Sequence, residues 1–239
     1  MGAKDQTNTG LHGSVLSGLG VQITSGALPA GHVLRIEQLE ERFGVSRSVI
    51  REAIRVLEAM GLVASRRRVG VTVAPRSRWN LFDPRIIGWR LEGGDREGQL
   101  RSLGDLRRGV EPVAAALAAR NATPGQCGEL TGAVMSMAVH GRAGDLAAYL
   151  RADTLFHRTL LEASGNEMLA ALGDVVAEVL AGRTRHHLMP ARPEPEAIRR
   201  HAEVAQAVQA GDAEAAERVM REIVDEATRA MLTVPPPAG

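Results

Sequence analysis

Two groups of residues carry the chemistry open to this chain of 239 residues. "ADTLFHRTLLEASG" sets Asp153 and His157 four residues apart, and His201 follows in "RRHAEVAQAVQAG". On a helix, residues i and i+4 share a face. A carboxylate and an imidazole at that spacing, with a second imidazole brought alongside, make a donor set for a divalent metal. The same pair suits a plain buried hydrogen bond, and spacing alone leaves both readings open. Arg107 and Glu111 are also four apart and able to pair. The second group is basic. Arg47, Arg51 and Arg55 repeat at i, i+4 in "GVSRSVIREAIRVLEAMGLV", and Arg66, Arg67 and Arg68 follow in "ASRRRVGVTV". A guanidinium fork matches guanine edges and phosphate oxygens. Taken alone, the row describes a solvated helix face equally well.

The elements that must position the arginines decide between those readings. Apolar residues at 11, 15, 16, 19 and 23 predict a helix, and the glycines and proline of "SGALPAGHVL" predict a turn. A second helix is expected over 36–43, then a tight connection at Gly44 and Val45. Ser46 is the expected N-cap of a third helix running to about Met60, with Val49, Ile50, Ala53, Ile54 and Leu57 facing inward. Gly61 closes it, and "LVASRRRVGVTV" reads as two short strands around a tip that carries Gly70. Helix, turn, helix and hairpin make a winged helix-turn-helix over residues 10–76. Its third helix fits a major groove, and a glycine in the wing lets backbone approach DNA closely.

Composition bounds the rest. Aromatic residues are only 3% against 44% hydrophobic, so the core rests on Ala, Leu, Val and Ile, which favours helices. One cysteine, Cys127, excludes a disulfide framework and, with no histidine near it in sequence, reads as inert. No apolar run reaches a membrane span, and the polar start "MGAKDQTNTG" lacks a signal-peptide core, so a cytoplasmic protein with no membrane partner is expected. The net charge of +1 hides an asymmetry: residues 1–78 hold eleven positive and six negative charges, leaving the remainder acidic. An anionic partner is expected for the head alone.

Residues 77–96 read as a linker whose Trp79 and Trp89 pack between two domains. Residues 97–233 are alanine-rich and helix-periodic. Six helices are expected, one of them tolerating Pro112, with Asp145 and Asp212 as caps. They predict an antiparallel all-α bundle, whose sites lie between helices.

The head resembles the N-terminal domain of GntR-type bacterial repressors in "SGALPAGHVL", "GVSRSVIREAIRVLEAMGLV" and "RRRVGVTV". The resemblance implies operator contacts from Arg47, Ser48, Arg51 and Gly70, with Arg68 as a further wing contact. Glu37 departs from the pattern, since some members carry a DNA-touching arginine there. The body, in "DLRRGVEP", "ADTLFHRTLLEASGN" and "RRHAEVAQAVQAGDAEAAERVM", resembles the FCD effector domain of the FadR subfamily. That implies a divalent metal, zinc among the candidates, on Asp153, His157 and His201. Ile223 stands where a fourth ligand is expected, so open positions remain for water or effector. The resemblance also implies an organic acid held by Arg107, with Asn166 and Arg185 near the pocket and Arg183 a lesser candidate. The linker, in "RWN" at 78–80, Asp83 and "IIGW" at 86–89, resembles the galactonate-type branch, which points to a sugar acid such as an aldonate.

The expected protein is mainly α: a winged helix-turn-helix joined to an all-α bundle. It is read as a transcriptional regulator, a repressor that binds double-stranded operator DNA as a homodimer and answers to a small organic acid. Its rival is a metal-dependent enzyme tethered to DNA, but the bundle presents no clear general base. A pyridoxal-phosphate enzyme is excluded, because the one lysine is Lys4 in the polar tail. An architectural DNA-binding protein with no ligand would leave the inward polar set costly and purposeless.

Overall fold

A computed structural model describes residues 3–186, 188 and 193–233. The chain divides into two compact units, Met1–Arg96 and Glu97–Gly239, each described by itself.

The first unit runs α1 (Ala3–Thr24), β1 (Val33–Leu34), α2 (Ile36–Phe43), α3 (Arg47–Ala59), β2 (Val63–Arg66), β3 (Gly70–Val73) and α4 (Pro84–Glu92). The inward residues expected on α3 are all buried, and they pack with Val15, Leu19 and Ile23 of α1. Gly44 ends α2 in the left-handed region at φ 62°, donating its N–H to the Glu40 carbonyl, so the chain turns sharply into α3. Ser46 holds the N-cap position with extended backbone, but its side chain caps nothing; its Oγ lies 2.9 Å from Ser48 Oγ instead. The wing is antiparallel in the order β1-β3-β2. β3 is its central strand, and the short β1 lies at one edge, in a stretch expected to be only a turn.

Residues 77–96, expected as a linker segment with a helix, hold α4. Asp83 caps α4, accepting from Arg85 N at 2.9 Å, and Pro84 takes the first turn, where a missing N–H costs nothing. α4 lies on α1. A Cβ on Gly20 would run into the Trp89 ring, so glycine sets how closely the two helices approach. Trp89 is buried in this unit's core, with Trp79 packed against it and its Nε1 donating to Ala74 O at 3.1 Å. The two tryptophans, expected between domains, thus serve the head's own core.

The second unit is a bundle of α5 (Arg96–Asn121), α6 (Pro124–Ala143), α7 (Leu146–Ala163), α8 (Glu167–Ala170), α9 (Gly173–Arg185), α10 (Pro195–Ala210) and α11 (Ala213–Thr233). Small side chains such as Ala115, Ala118, Ala133, Ala163 and Ala216 fill its core beside Leu130, Phe156, Leu160 and Met220. Thr123 and Gln126 form a reciprocal cap at the start of α6, and Asp145 caps α7 through Ala148 N at 2.9 Å. Pro112 sits inside α5 and is buried. One expected helix is broken. The stretch from Glu167 to Arg185 is two helices, because Ala171 and Leu172 form a turn before Gly173, a weak helix former, opens α9.

Candidate functional site

The first unit carries an exposed basic face. Arg47, Ser48 and Arg51 lie on the solvent side of α3, and Arg66, Arg67, Arg68 and Gly70 on the wing. Arg68 has φ 69° and Gly70 φ 99°, so the tip is a tight left-handed turn. The structure places all five residues expected to meet DNA on the surface of this unit. Arg51 and the three wing arginines form no ion pair among the described residues. Arg47 does: its Nη2 lies 3.1 Å from Glu37 Oε1, with both side chains largely exposed. Glu37 also lines a groove of about 440 Å³ between the start of α2 and the wing, with Arg35, Val69 and Gly70.

The second unit holds a cavity of about 80 Å³. Its polar wall is made of Arg107 from α5, Tyr149, Asp153 and His157 from α7, Arg183 from α9 and His201 from α10; Ile223 and Ala227 of α11 close it on the apolar side. Asp153 Oδ1 lies 3.4 Å from His157 Nε2 and 3.4 Å from His201 Nε2. Their ligand atoms all lie within 4.8 Å of one another, and all three residues are buried.

The donor set fits a metal cation. His201 Nδ1 is 2.6 Å from the Ala197 carbonyl, which only accepts, so Nδ1 carries the proton. His201 Nε2 then turns a lone pair toward Asp153 Oδ1, and both atoms are buried with no hydrogen-bond partner among the described residues. Two acceptors facing each other call for a proton or a metal cation between them. His157 repeats the arrangement: Nδ1 lies 2.6 Å from Glu111 Oε2, off the line of a good hydrogen bond, and Nε2 faces Asp153. Outer partners of this kind orient histidines that bind metals.

Charge is tightly organised around this set. Glu111 pairs with Arg107 through Nε and, at 3.3 Å, Nη2. Burial raises the Glu111 pKa, but Arg107 and then His157 outweigh it and hold the carboxyl at about 2. Burial likewise works against ionised Asp153, and its two histidine neighbours hold it well below the ordinary carboxylate range. For His157, burial lowers the pKa, while Glu111 and Asp153 overcome that and raise it. Burial and Asp153 both raise the Tyr149 hydroxyl, keeping it a neutral donor.

The structure therefore brings together Asp153, His157, His201 and Arg107, but not two other expected residues. Asn166 is exposed and spends its side-chain oxygen capping α8, accepting from Met168 N at 2.9 Å and Leu169 N at 3.4 Å. Arg185 is exposed and paired with Glu178. It follows Arg183 by two residues, which turns it to the far side of α9. Arg183 takes the inward place. Tyr149 was missed by reading the sequence, although it precedes Asp153 by four residues and so shares its face.

A basic winged head in one unit and a buried donor set in the other define a class: DNA-binding regulators with a ligand-sensing helical domain. Comparison with known proteins agrees. Residues 14–73 match the model of bacterial regulatory proteins of the gntR family, and residues 102–226 match the FCD domain. The chain is 29% identical to the galactonate operon transcriptional repressor of Escherichia coli K12, across 88% of this chain and 92% of that one. It is also 29% identical to a probable D-xylose utilization operon transcriptional repressor of Paenarthrobacter nicotinovorans, across 91% and 87%. Among solved structures, a Streptococcus agalactiae GntR protein superposes with a TM-score of 0.51 at 25% identity, covering 87% of this chain and 99% of that one. This chain belongs to the gntR family of bacterial regulators that carry an FCD domain, and it is a transcriptional regulator, not an enzyme. No helix among the described residues is long and apolar enough to cross a membrane.

Proposed function

We propose that the chain is a repressor that binds a palindromic operator as a homodimer and releases it when a sugar acid enters the helical cavity. The observation that carries this is the cavity itself, a buried site in which arginine, carboxylate and imidazole groups converge with acceptors left unpartnered. Buried polar groups without partners are costly, and a ligand that completes them explains their persistence. In the head, Arg47, Ser48, Arg51, Arg68 and Gly70 meet DNA, since they share the exposed basic face. A two-fold protein matches a two-fold site. The sugar-acid class is supported by similarity to the galactonate operon repressor and by the cationic side of the cavity.

Asp153, His157 and His201 would hold a divalent metal, and Ile223 supplies no fourth donor, being apolar. Such an ion, when bound, offers open positions to oxygen ligands of the effector. Release requires that the effector prefer the state that fits DNA poorly. The test is fluorescence anisotropy on DNA from upstream of the chain's own gene, titrated with sugar acids that include galactonate. Binding undone by one acid is the expected result. DNA binding indifferent to every acid refutes the sensor reading.

A further inference from the structure

We propose that Arg183 is the seat of the effector's carboxylate, assisted by Arg107 Nη1 and the Tyr149 hydroxyl, so that the effector is a hydroxy acid with its carboxylate toward Arg183 and its hydroxyls toward Asp153, His157 and His201. This rests on the reading of the cavity as an effector site.

The sequence aims Arg183 inward. It continues the stripe of Val176, Val179 and Leu180, all buried on α9, at helical spacing. Its side chain lines the cavity, and its Nε is buried. Among the described residues, the guanidinium makes no ion pair and no hydrogen bond.

The other arginine at the cavity wall and one of its carboxylates are paired. Arg107 is held by Glu111 through two nitrogens, leaving only Nη1 buried and unpartnered. Glu226 is paired with Arg200. Asp153 faces two histidines. Glu194 lies exposed at the mouth, as the residue that precedes α10. Arg183 alone brings an unanswered positive charge to the wall. Burial lowers its pKa, Asp153 opposes that, and Arg107 adds to the lowering, so the two guanidiniums are close enough to repel. Guanidinium remains charged in proteins. A half-buried cation with a buried Nε is tolerated when an anion completes it.

The geometry selects the anion. A planar fork binds a carboxylate through two parallel N–H donors. Arg183 Nε and Arg107 Nη1 offer free donors from two different helices, and Tyr149 adds a neutral one. Asp153, His157 and His201 offer acceptors, which suit hydroxyls or a metal that hydroxyls can reach.

Arg183→Met tests the seat. Thermal unfolding of the full-length protein is followed with sodium acetate, with sodium galactonate, and with sodium chloride at equal ionic strength. The wild type is expected to be stabilised by acetate beyond the chloride control. Arg183→Met is expected to melt no lower than wild type without acid, because it loses a half-buried charge that has no ion-pair partner among the described residues, and to bind acetate at least about tenfold more weakly. Arg183→Lys keeps charge without the fork and is expected to fall between them. Three results each overturn the proposal: no acetate shift in the wild type, an undiminished shift in Arg183→Met, or a variant that melts well below wild type, which would make Arg183 a structural residue. Operator release separates the two readings. If galactonate fails to release DNA while the acetate shift depends on Arg183, the sensor reading fails and the seat stands. If release persists in Arg183→Met, the seat fails and the sensor reading stands.

Discussion

Replacing Glu111 with alanine should be among the most damaging changes in the helical unit. The side chain is 1% exposed, as is that of its partner Arg107. Removing it strands the Arg107 guanidinium, which loses the acceptor of both Nε and Nη2, and leaves His157 Nδ1 with no carboxylate beside it. Breaking one side of a buried ion pair costs about 3–5 kcal/mol. At roughly 2–4 °C per kcal/mol for a unit of this size, the melting temperature should fall by about 10 °C. Scanning calorimetry reads this directly. Replacing both partners by apolar residues, Arg107→Met with Glu111→Leu, should recover most of the loss, because the pair itself is close to break-even once desolvation is counted. Acid gives an independent check. The folded pKa of about 2 lies below the ordinary 4.5, so the contribution of Glu111 is fully present above pH 4.5 and fades as pH falls toward 2. Wild type and Glu111→Ala should therefore differ most above that window and converge below it. A variant that melts within about 2 °C of wild type at neutral pH would refute this account of the core.

Three further outcomes are expected. Arg51→Ala should weaken DNA binding and lower the slope of log affinity against log salt by about 1, as loss of one phosphate contact requires; an unchanged slope places Arg51 off the DNA. His201→Ala should reduce the metal that co-purifies with the protein, measured by elemental analysis, and full retention would mean that the Asp153, His157 and His201 set is not the metal site. Gly20→Ala should destabilise the head by about 1–3 kcal/mol, since the added methyl meets the Trp89 ring. Denaturation followed by tryptophan fluorescence tests this, and an unchanged midpoint would show that α1 and α4 yield.

Much of the head was legible because its signals are local. The buried stripe of α3 follows from apolar spacing, and Gly44 marks the turn before it. β1 was not legible, since a strand of two residues is defined by its partner β3 rather than by its own pattern. The Ser46 cap failed for a related reason: residue type placed it correctly, but a neighbouring hydroxyl competed for its side chain. Trp79 and Trp89 were assigned to an interface because they lie in the segment read as joining two domains, and only packing shows that α4 folds onto α1. In the bundle, the i, i+4 pairs Arg107–Glu111 and Asp153–His157 were readable from spacing. The choice of Arg183 over Arg185 needs the phase of α9, which depends on where the preceding helix breaks. The Glu111 contact with His157 joins two helices and is invisible in either alone.

The Arg47–Glu37 pair has a consequence for how DNA preference can change over time. Glu37 belongs to α2, whereas Arg47 opens α3, the helix with the arginine row. A substitution at 37 alters what Arg47 is free to touch without disturbing any buried residue of α3. If α3 reads the bases as proposed, operator choice in this chain is adjustable from outside that helix, at an exposed position where most replacements cost the fold almost nothing.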